Sequence, residues 1–115
     1  MIVTEQKKYE EILEMLKDAK SVFIAGCGSC ATLNKTGGEN EVSQMAQKLT
    51  QDGKTVTGAT VVESTCDERL CRKEFSSLKP QLEDADAFLV MSCGAGVQTI
   101  VALVGKAVYP ALNSL

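Results

Sequence analysis

The sequence predicts an α/β fold, a small Rossmann-like or flavodoxin-like three-layer domain with a mostly parallel four-stranded sheet. Helical periodicity and short apolar runs rich in strand formers alternate along the chain in the order α-β-α-β-α-β-α-β. This alternation is typical of parallel strands joined by right-handed helical crossovers. With 115 residues, of which 44% are hydrophobic, the chain matches the size of one ordinary domain. We therefore expect residues 1–115 to form a single α/β domain.

The first predicted elements are an amphipathic helix over residues 4–19 and a buried strand over Ser21–Ala25. The apolar positions of the helix recur at helical spacing: Tyr9, Ile12, Leu13 and Leu16. The strand segment is short, apolar and followed by glycine, which favours a buried strand over another turn of helix.

A second helix and strand are predicted after a loop rich in cysteine and glycine. Thr36 and Glu39 form a T-x-x-E capping box, which indicates where the helix begins, and Gly53 is expected to end it. The segment Thr55–Glu63 is rich in valine and threonine and predicts the second strand.

The remaining half of the chain predicts two more helix–strand units. Thr65 and Glu68 form a second possible capping box, and Pro80 is expected to end or kink the helix that follows it. Ala87–Met91 predicts the third strand. The segments GAGVQTIVALVG and Lys106–Tyr109 predict a short helix and a short fourth strand, closed by a proline.

Four of the five cysteines come directly after predicted strands. Cys27 and Cys30 follow the first strand, Cys66 follows the second and Cys93 follows the third. Because the loops after parallel strands gather at one edge of the sheet, we expect these four thiols to converge. Four thiolates suit an iron–sulfur cluster, for example of the 4Fe–4S type, or alternatively zinc. Cys71 lies on the inward stripe of its helix and is predicted to be a core residue.

Small and hydroxyl residues in the same loops are predicted to surround the cofactor. They are Gly26, Gly28, Thr36, Gly37, Gly38 and Gly94. Glycine lets the backbone approach a bulky inorganic core closely, and a helix start can bind an anion. The pattern Gly26-x-Gly28-x-x-Ala31 also matches a dinucleotide fingerprint, although Glu63 lies too far along the chain to be its ribose-binding acid. A small nucleotide-binding domain is therefore an alternative.

Charge and composition exclude several classes of function. The net charge is −3 and the chain has no histidine, so it has no basic footprint for nucleic acid or an anionic membrane surface. Its N-terminal segment has no central apolar stretch of signal-peptide type, and we expect a cytoplasmic protein. The sequence offers no obvious pair of nucleophile and base, so we do not expect the chain to be catalytic by itself.

Several segments together resemble a known family. GCGSCATLNKTGGENEV, TVVESTCDERL, LVMSCGAGVQTI and VYPALNSL are similar to the methylenetetrahydrofolate reductase C-terminal domain family, as found in MetV-type small subunits. The resemblance covers nearly the whole chain. It implies a subunit without flavin that carries iron–sulfur centres and associates with the flavin-containing catalytic subunit of methylenetetrahydrofolate reductase in one-carbon metabolism. Electron relay or structural support of that partner would be its role.

The resemblance also assigns ligands by position. Cys27, Cys30, Cys66 and Cys93 match the cysteines of the family's motifs. Two features depart from the family. Asn34 stands where many members have another cysteine, and the second cysteine-rich segment of the longer subunits has no counterpart in these 115 residues. A structural zinc domain or a metal-free interaction domain is the alternative from a different functional class.

Overall fold

The computed structural model describes residues 4–27, 39–62, 68–91, 94–104 and 107–114, and these residues form an α/β fold. In chain order the elements are β1 (Thr4–Gln6), α1 (Tyr9–Met15), β2 (Ser21–Cys27), α2 (Glu39–Gln51), β3 (Thr55–Val62), α3 (Glu68–Ser76), α4 (Lys79–Asp84), β4 (Ala87–Met91), α5 (Gly94–Val104), β5 (Ala107–Pro110) and β6 (Leu112–Ser114). Within the described ranges, no helix is both long and apolar enough to cross a membrane. The predicted fold class is confirmed.

Four strands form an all-parallel sheet in the order β3-β2-β4-β5. The chain passes from β2 outward to β3, and then crosses over β2 to add β4 and β5 on its other side. This is the strand order of flavodoxin-like folds, in which the direction of winding changes between the first and third strands of the sheet. Here that switch point lies between β2 and β4.

The predicted helix over residues 4–19 is wrong at both ends. Residues Thr4–Gln6 form β1, which pairs antiparallel with β6 near the other end of the chain, and the helix spans only Tyr9–Met15. Backbone hydrogen bonds join this ribbon to the sheet, since Lys7 N donates to Ala111 O at 2.8 Å and Ala111 N donates to Val90 O at 2.9 Å. A partner this distant in sequence leaves no trace in local periodicity.

The sequence predicted that Pro80 ends or kinks a longer helix, and this prediction is wrong. Helix α3 already ends at Ser76, and a separate short helix, α4, begins at Lys79 with Pro80 in its first turn. Proline is tolerated there because the amide groups of the first turn have no partner within the helix. The proline thus helps to begin a helix.

The other strand predictions are close to the structure. The third predicted strand, Ala87–Met91, is confirmed without change as β4. The first extends two residues further, to Cys27, and the second ends at Val62. The short fourth strand ends one residue later than predicted, because it includes Pro110, and Lys106, where it was predicted to begin, lies outside the described residues.

Helices cover both faces of the sheet and form two apolar clusters. Helices α1 and α2 pack on one face, where the buried residues are Ile12, Leu16, Ala19, Val22, Ile24, Val42, Met45, Leu49, Ala87, Leu89, Met91 and Ala111. Helices α3, α4 and α5 pack on the other face, where the buried residues are Phe23, Ala25, Val62, Cys71, Phe75, Ala85, Phe88, Val90 and Ile100. Strands β2 and β4 are central and are buried on both faces. Their sequences are therefore continuous apolar runs, without alternating polar residues.

Candidate metal site at the carboxyl edge of the sheet

Three adjacent strands end side by side at the same edge of the sheet. Cys27 of β2 is in register with Val62 of β3, and Gly26 of β2 is in register with Met91 of β4. Neighbouring strands lie about 4.8 Å apart, so the three strand ends together span about 10 Å. The loops that carry the predicted ligands therefore leave the sheet from adjacent points.

Cys27 is the predicted ligand whose position the structure describes. The sequence placed it on a loop after the first strand, but it is the last residue of β2, which continues two residues beyond Ala25. The residue is buried, with 5% of its surface exposed. Because side chains alternate along a strand, Cys27 lies on the same face of the sheet as Phe23 and Ala25. That face is covered by α3 and α5.

Cys30, Cys66 and Cys93 lie outside the described residues, so their role as ligands remains a prediction. Cys66 comes four residues after Val62, and Cys93 comes two residues after Met91. Four residues of extended chain reach at most about 14 Å, which exceeds the distance from the end of β3 to the end of β4. The chain lengths are thus compatible with convergence near Cys27. Among the described residues alone, no group of three or more Cys, Asp or Glu side chains is arranged to hold a metal ion.

Cys71 has the core position that the sequence predicted for it. It lies in α3, is 0% exposed, and belongs to the apolar cluster that also contains Phe75 and Ile100. A buried cysteine in such surroundings packs as a small apolar side chain. Cys71 is therefore a matched internal control for the loop cysteines.

The predicted cofactor-surrounding residues are only partly described. Gly26 lies within β2 and is in register with Val61 on one side and Met91 on the other. Gly94 is the first residue of α5, which begins three residues after β4 ends. The remaining four of these residues lie outside the described ranges: Gly28, Thr36, Gly37 and Gly38. Gly26 and Gly94 therefore both lie at the edge where the predicted site would form.

One polar contact near this edge was not foreseen from the sequence. The hydroxyl of Thr60 on β3 donates a hydrogen bond to Glu74 Oε1 on α3 at 2.6 Å, in a partly buried position. Thr60 is in register with Ala25, two residues before Cys27. No local sequence signal links a strand threonine to a glutamate in the next helix, because their proximity depends on how α3 packs on the sheet.

The described residues line two grooves, of which the larger lies away from the cysteine edge. A groove of about 380 Å³ lies between α3, α4 and α5, and reaches Phe88 near the beginning of β4. A second groove, of about 320 Å³, lies between the beginning of α2 and the second half of β3, where Glu39, Ser43 and Thr60 line it. The second groove is therefore the one near the carboxyl ends of the strands.

Comparison with known proteins does not assign the chain. Searches against protein families, curated proteins and solved structures found no match. The inference of function consequently depends on the placement of the cysteines in this fold and on the sequence resemblance described above.

Proposed function

We propose that the chain binds a cysteine-ligated iron–sulfur cluster and acts as an accessory or electron-transfer subunit of a flavin-dependent methylenetetrahydrofolate reductase in one-carbon metabolism. The observation that carries the proposal is the register of β3, β2 and β4. Because these three strands end side by side, the segments that follow them, which contain the cysteines, leave the sheet at one edge. The resemblance of the cysteine-bearing segments to the reductase family supports the choice of partner.

The donor set fits such a cluster in chemistry. Cys27, Cys30, Cys66 and Cys93 would supply four soft thiolates, the ligands preferred by iron–sulfur clusters and by zinc, and the chain has no histidine to compete with them. A bound iron–sulfur cluster would supply one-electron redox chemistry. Zinc at the same thiolates would instead make the chain a structural or interaction domain.

Cys27 would be the anchor of this ligand set. It ends a strand that is hydrogen-bonded to neighbours on both sides, and its low exposure keeps water from the thiol. A ligand on a rigid central strand is held in position more accurately than one on a loop. We therefore expect Cys27 to be required for binding, with the loop cysteines closing around it.

The decisive experiment measures iron, zinc and acid-labile sulfide per chain in protein that has been purified anaerobically. Iron with matching sulfide and a visible absorption band that dithionite bleaches is the expected result. Stoichiometric zinc without sulfide would replace the redox role with a structural one. Absence of both metals from anaerobic protein, and no uptake on reconstitution with iron and sulfide, would contradict the proposed site.

Single substitutions test which cysteines hold the metal. Cys27→Ser, Cys66→Ser and Cys93→Ser should each lower the metal content, because each removes a proposed ligand. Cys71→Ser is the matched control, since that cysteine lies on the buried side of α3, in the apolar core. Equal metal content in all four variants would show that these cysteines do not form the site.

The partner is tested separately from the metal. A purified flavin-containing methylenetetrahydrofolate reductase subunit should co-elute with the chain. Chain reduced with dithionite, freed of excess dithionite and added at two or more equivalents, should reduce the flavin by one electron per cluster, as followed by loss of flavin absorbance. Co-elution without flavin reduction would indicate structural support. The absence of both would leave a metal protein with a different partner.

The strand order favours one second candidate, a nucleotide-binding domain. Flavodoxin-like sheets bind their nucleotide cofactor at the switch point, which here lies between β2 and β4 beside Gly26. A nucleotide that binds the folded chain raises its thermal midpoint as the ligand concentration increases. No increase with NAD, NADP, FMN or FAD would eliminate this candidate.

A further inference from the structure

One edge of the sheet is long and uncharged. Strand β3 has the sequence TVTGATVV, eight residues with no charge and no proline, whereas 23% of the whole chain is charged. The opposite edge strand, β5, has only four residues and ends with Pro110, which has no amide donor. Proteins usually protect sheet edges with short strands, proline or charges. Of the two edges, β5 is protected in this way and β3 is not.

Among the described residues, no strand pairs with the outer side of β3. Its one neighbour in the sheet is β2, and within the described ranges no other backbone group bonds to residues 56–62. Thr55 and Ala59 are also exposed. An occupant of this edge must therefore be an extended strand that offers backbone N–H and C=O groups.

Among the described residues, the flanks of the middle of β3 are uncharged apart from Glu74, whose carboxylate accepts a hydrogen bond from the hydroxyl of Thr60. Gln81 of α4 lies beside Gly58 on one face of the sheet, and Ser43 of α2 lines the groove beside Ala59 on the other. Among the described residues that line this second groove, Glu39 is the one with a charged side chain. It lies beside the carboxyl-terminal half of β3. A complementary partner is consequently an uncharged strand with small side chains at its centre.

We propose that this partner is β3 of a second copy, paired antiparallel about a two-fold axis beside Ala59. In that pairing Ala59 lies opposite Ala59 of the other copy, and Gly58 lies opposite Thr60 on the face covered by α3 and α4. Small side chains at the axis let the two edges approach. The two Glu39 side chains lie toward opposite ends of the paired strands, so they do not repel each other across the axis. The result is one continuous eight-stranded sheet with an isologous interface.

The test is the concentration dependence of mass for the 115-residue chain, measured by sedimentation equilibrium. The wild type should form a dimer. Ala59→Lys should weaken the dimer by about fivefold or more, because two like charges would face each other across the pair. Since Ala59 is exposed in the single chain, this substitution leaves the fold of the monomer intact.

Val101→Lys is the matched control. Val101 is 48% exposed on α5, on a helix that lies away from β3, so this variant should dimerise like the wild type. A wild type that stays monomeric up to about 500 µM would overturn the proposal. An Ala59→Lys variant that dimerises like the wild type would also overturn it. Loss of the dimer in Val101→Lys would overturn it as well, because the interface would then lie on α5.

Hydrogen exchange of the wild type tests the same interface without any substitution. Amides on the outer side of β3 should exchange more slowly at about 500 µM than at about 5 µM, while amides of β5 should not change. Equal exchange of β3 at both concentrations would overturn the proposal even if Ala59→Lys failed to fold. This inference is independent of the metal site, because β3 pairs through its backbone.

Discussion

The ring of Phe23 on β2 occupies the space that a side chain at Gly58 on β3 would need. A Cβ atom on Gly58 would lie 2.9 Å from Phe23 Cε2 and 3.2 Å from Phe23 Cδ2. Phe23 is itself fixed by Phe75 and Phe88, whose ring centroids lie 6.3 and 5.5 Å from its own. The glycine is therefore part of how the two strands pack, and the shift in register after Val22 brings it opposite Phe23.

Gly58→Ala should destabilise the protein by about 1–3 kcal/mol, because the new methyl group overpacks against a ring that cannot move. Urea unfolding measures this change. The same substitution in a Phe23→Leu background should cost less, since the smaller side chain removes the clash. Equal costs in the two backgrounds would show that Phe23 is not the reason for glycine at this position.

Tyr9 predicts a loss of stability at alkaline pH. Burial, together with the hydrogen bond that its hydroxyl donates to Asp52 and the charge of that carboxylate, raises the pKa of Tyr9 from 10.0 to about 12. The ammonium of Lys48 lies 5.5 Å from the ring centroid, on the neighbouring helix. The protonated hydroxyl therefore makes its full contribution to the free energy of unfolding below about pH 10. That contribution is lost as the pH rises from about 10 to about 12.

Tyr9→Phe tests this expectation. The variant should be less stable than the wild type at neutral pH by about 1 kcal/mol, because it loses the hydrogen bond. The difference should shrink above about pH 10 in urea unfolding. A difference that stays constant up to about pH 12, or an ultraviolet titration in which Tyr9→Phe removes no transition near that pH, would contradict it.

Lys54 closes the end of α1 from the position just before β3. Its ammonium donates to Leu16 O at 2.6 Å and to Ala19 O at 2.7 Å, in a partly buried position. Lys54→Met should cost about 1–2 kcal/mol, because both carbonyl groups lose a charged donor. Lys20→Met is the control, since Lys20 is exposed and should change stability by less than about 0.5 kcal/mol. Equal effects of the two substitutions in urea unfolding would count against the role of Lys54.

Substitutions of Cys71 should lower the stability of the protein without changing its metal content. Cys71→Ser should destabilise the chain by about 1–3 kcal/mol, because it places a more polar group among apolar side chains such as Phe75. Cys71→Ala should cost less than Cys71→Ser, because it adds no polar atom. Both variants should keep the metal content of the wild type. Loss of metal in both, at a temperature where they remain folded, would make Cys71 a ligand.

The fold class and most of the strands follow from local sequence pattern. Buried central strands such as Ala87–Met91 are continuous apolar runs, and such runs can be recognised without knowledge of their neighbours. The same is true of Cys71, because its helical spacing with Phe75 is sufficient to predict a core position. The alternation of helices and strands also predicted that the loops after β2, β3 and β4 share one edge.

Which distant segments become partners depends on tertiary packing. The β1–β6 ribbon, the extension of β2 to Cys27 and the packing of Phe23 against Gly58 each depend on residues that are far apart in sequence. Local periodicity records how deeply a residue is buried, and contains no information on which distant segment covers it. The uncharged edge of β3 likewise follows from the strand order, which puts β3, rather than β2 or β4, at the outside of the sheet.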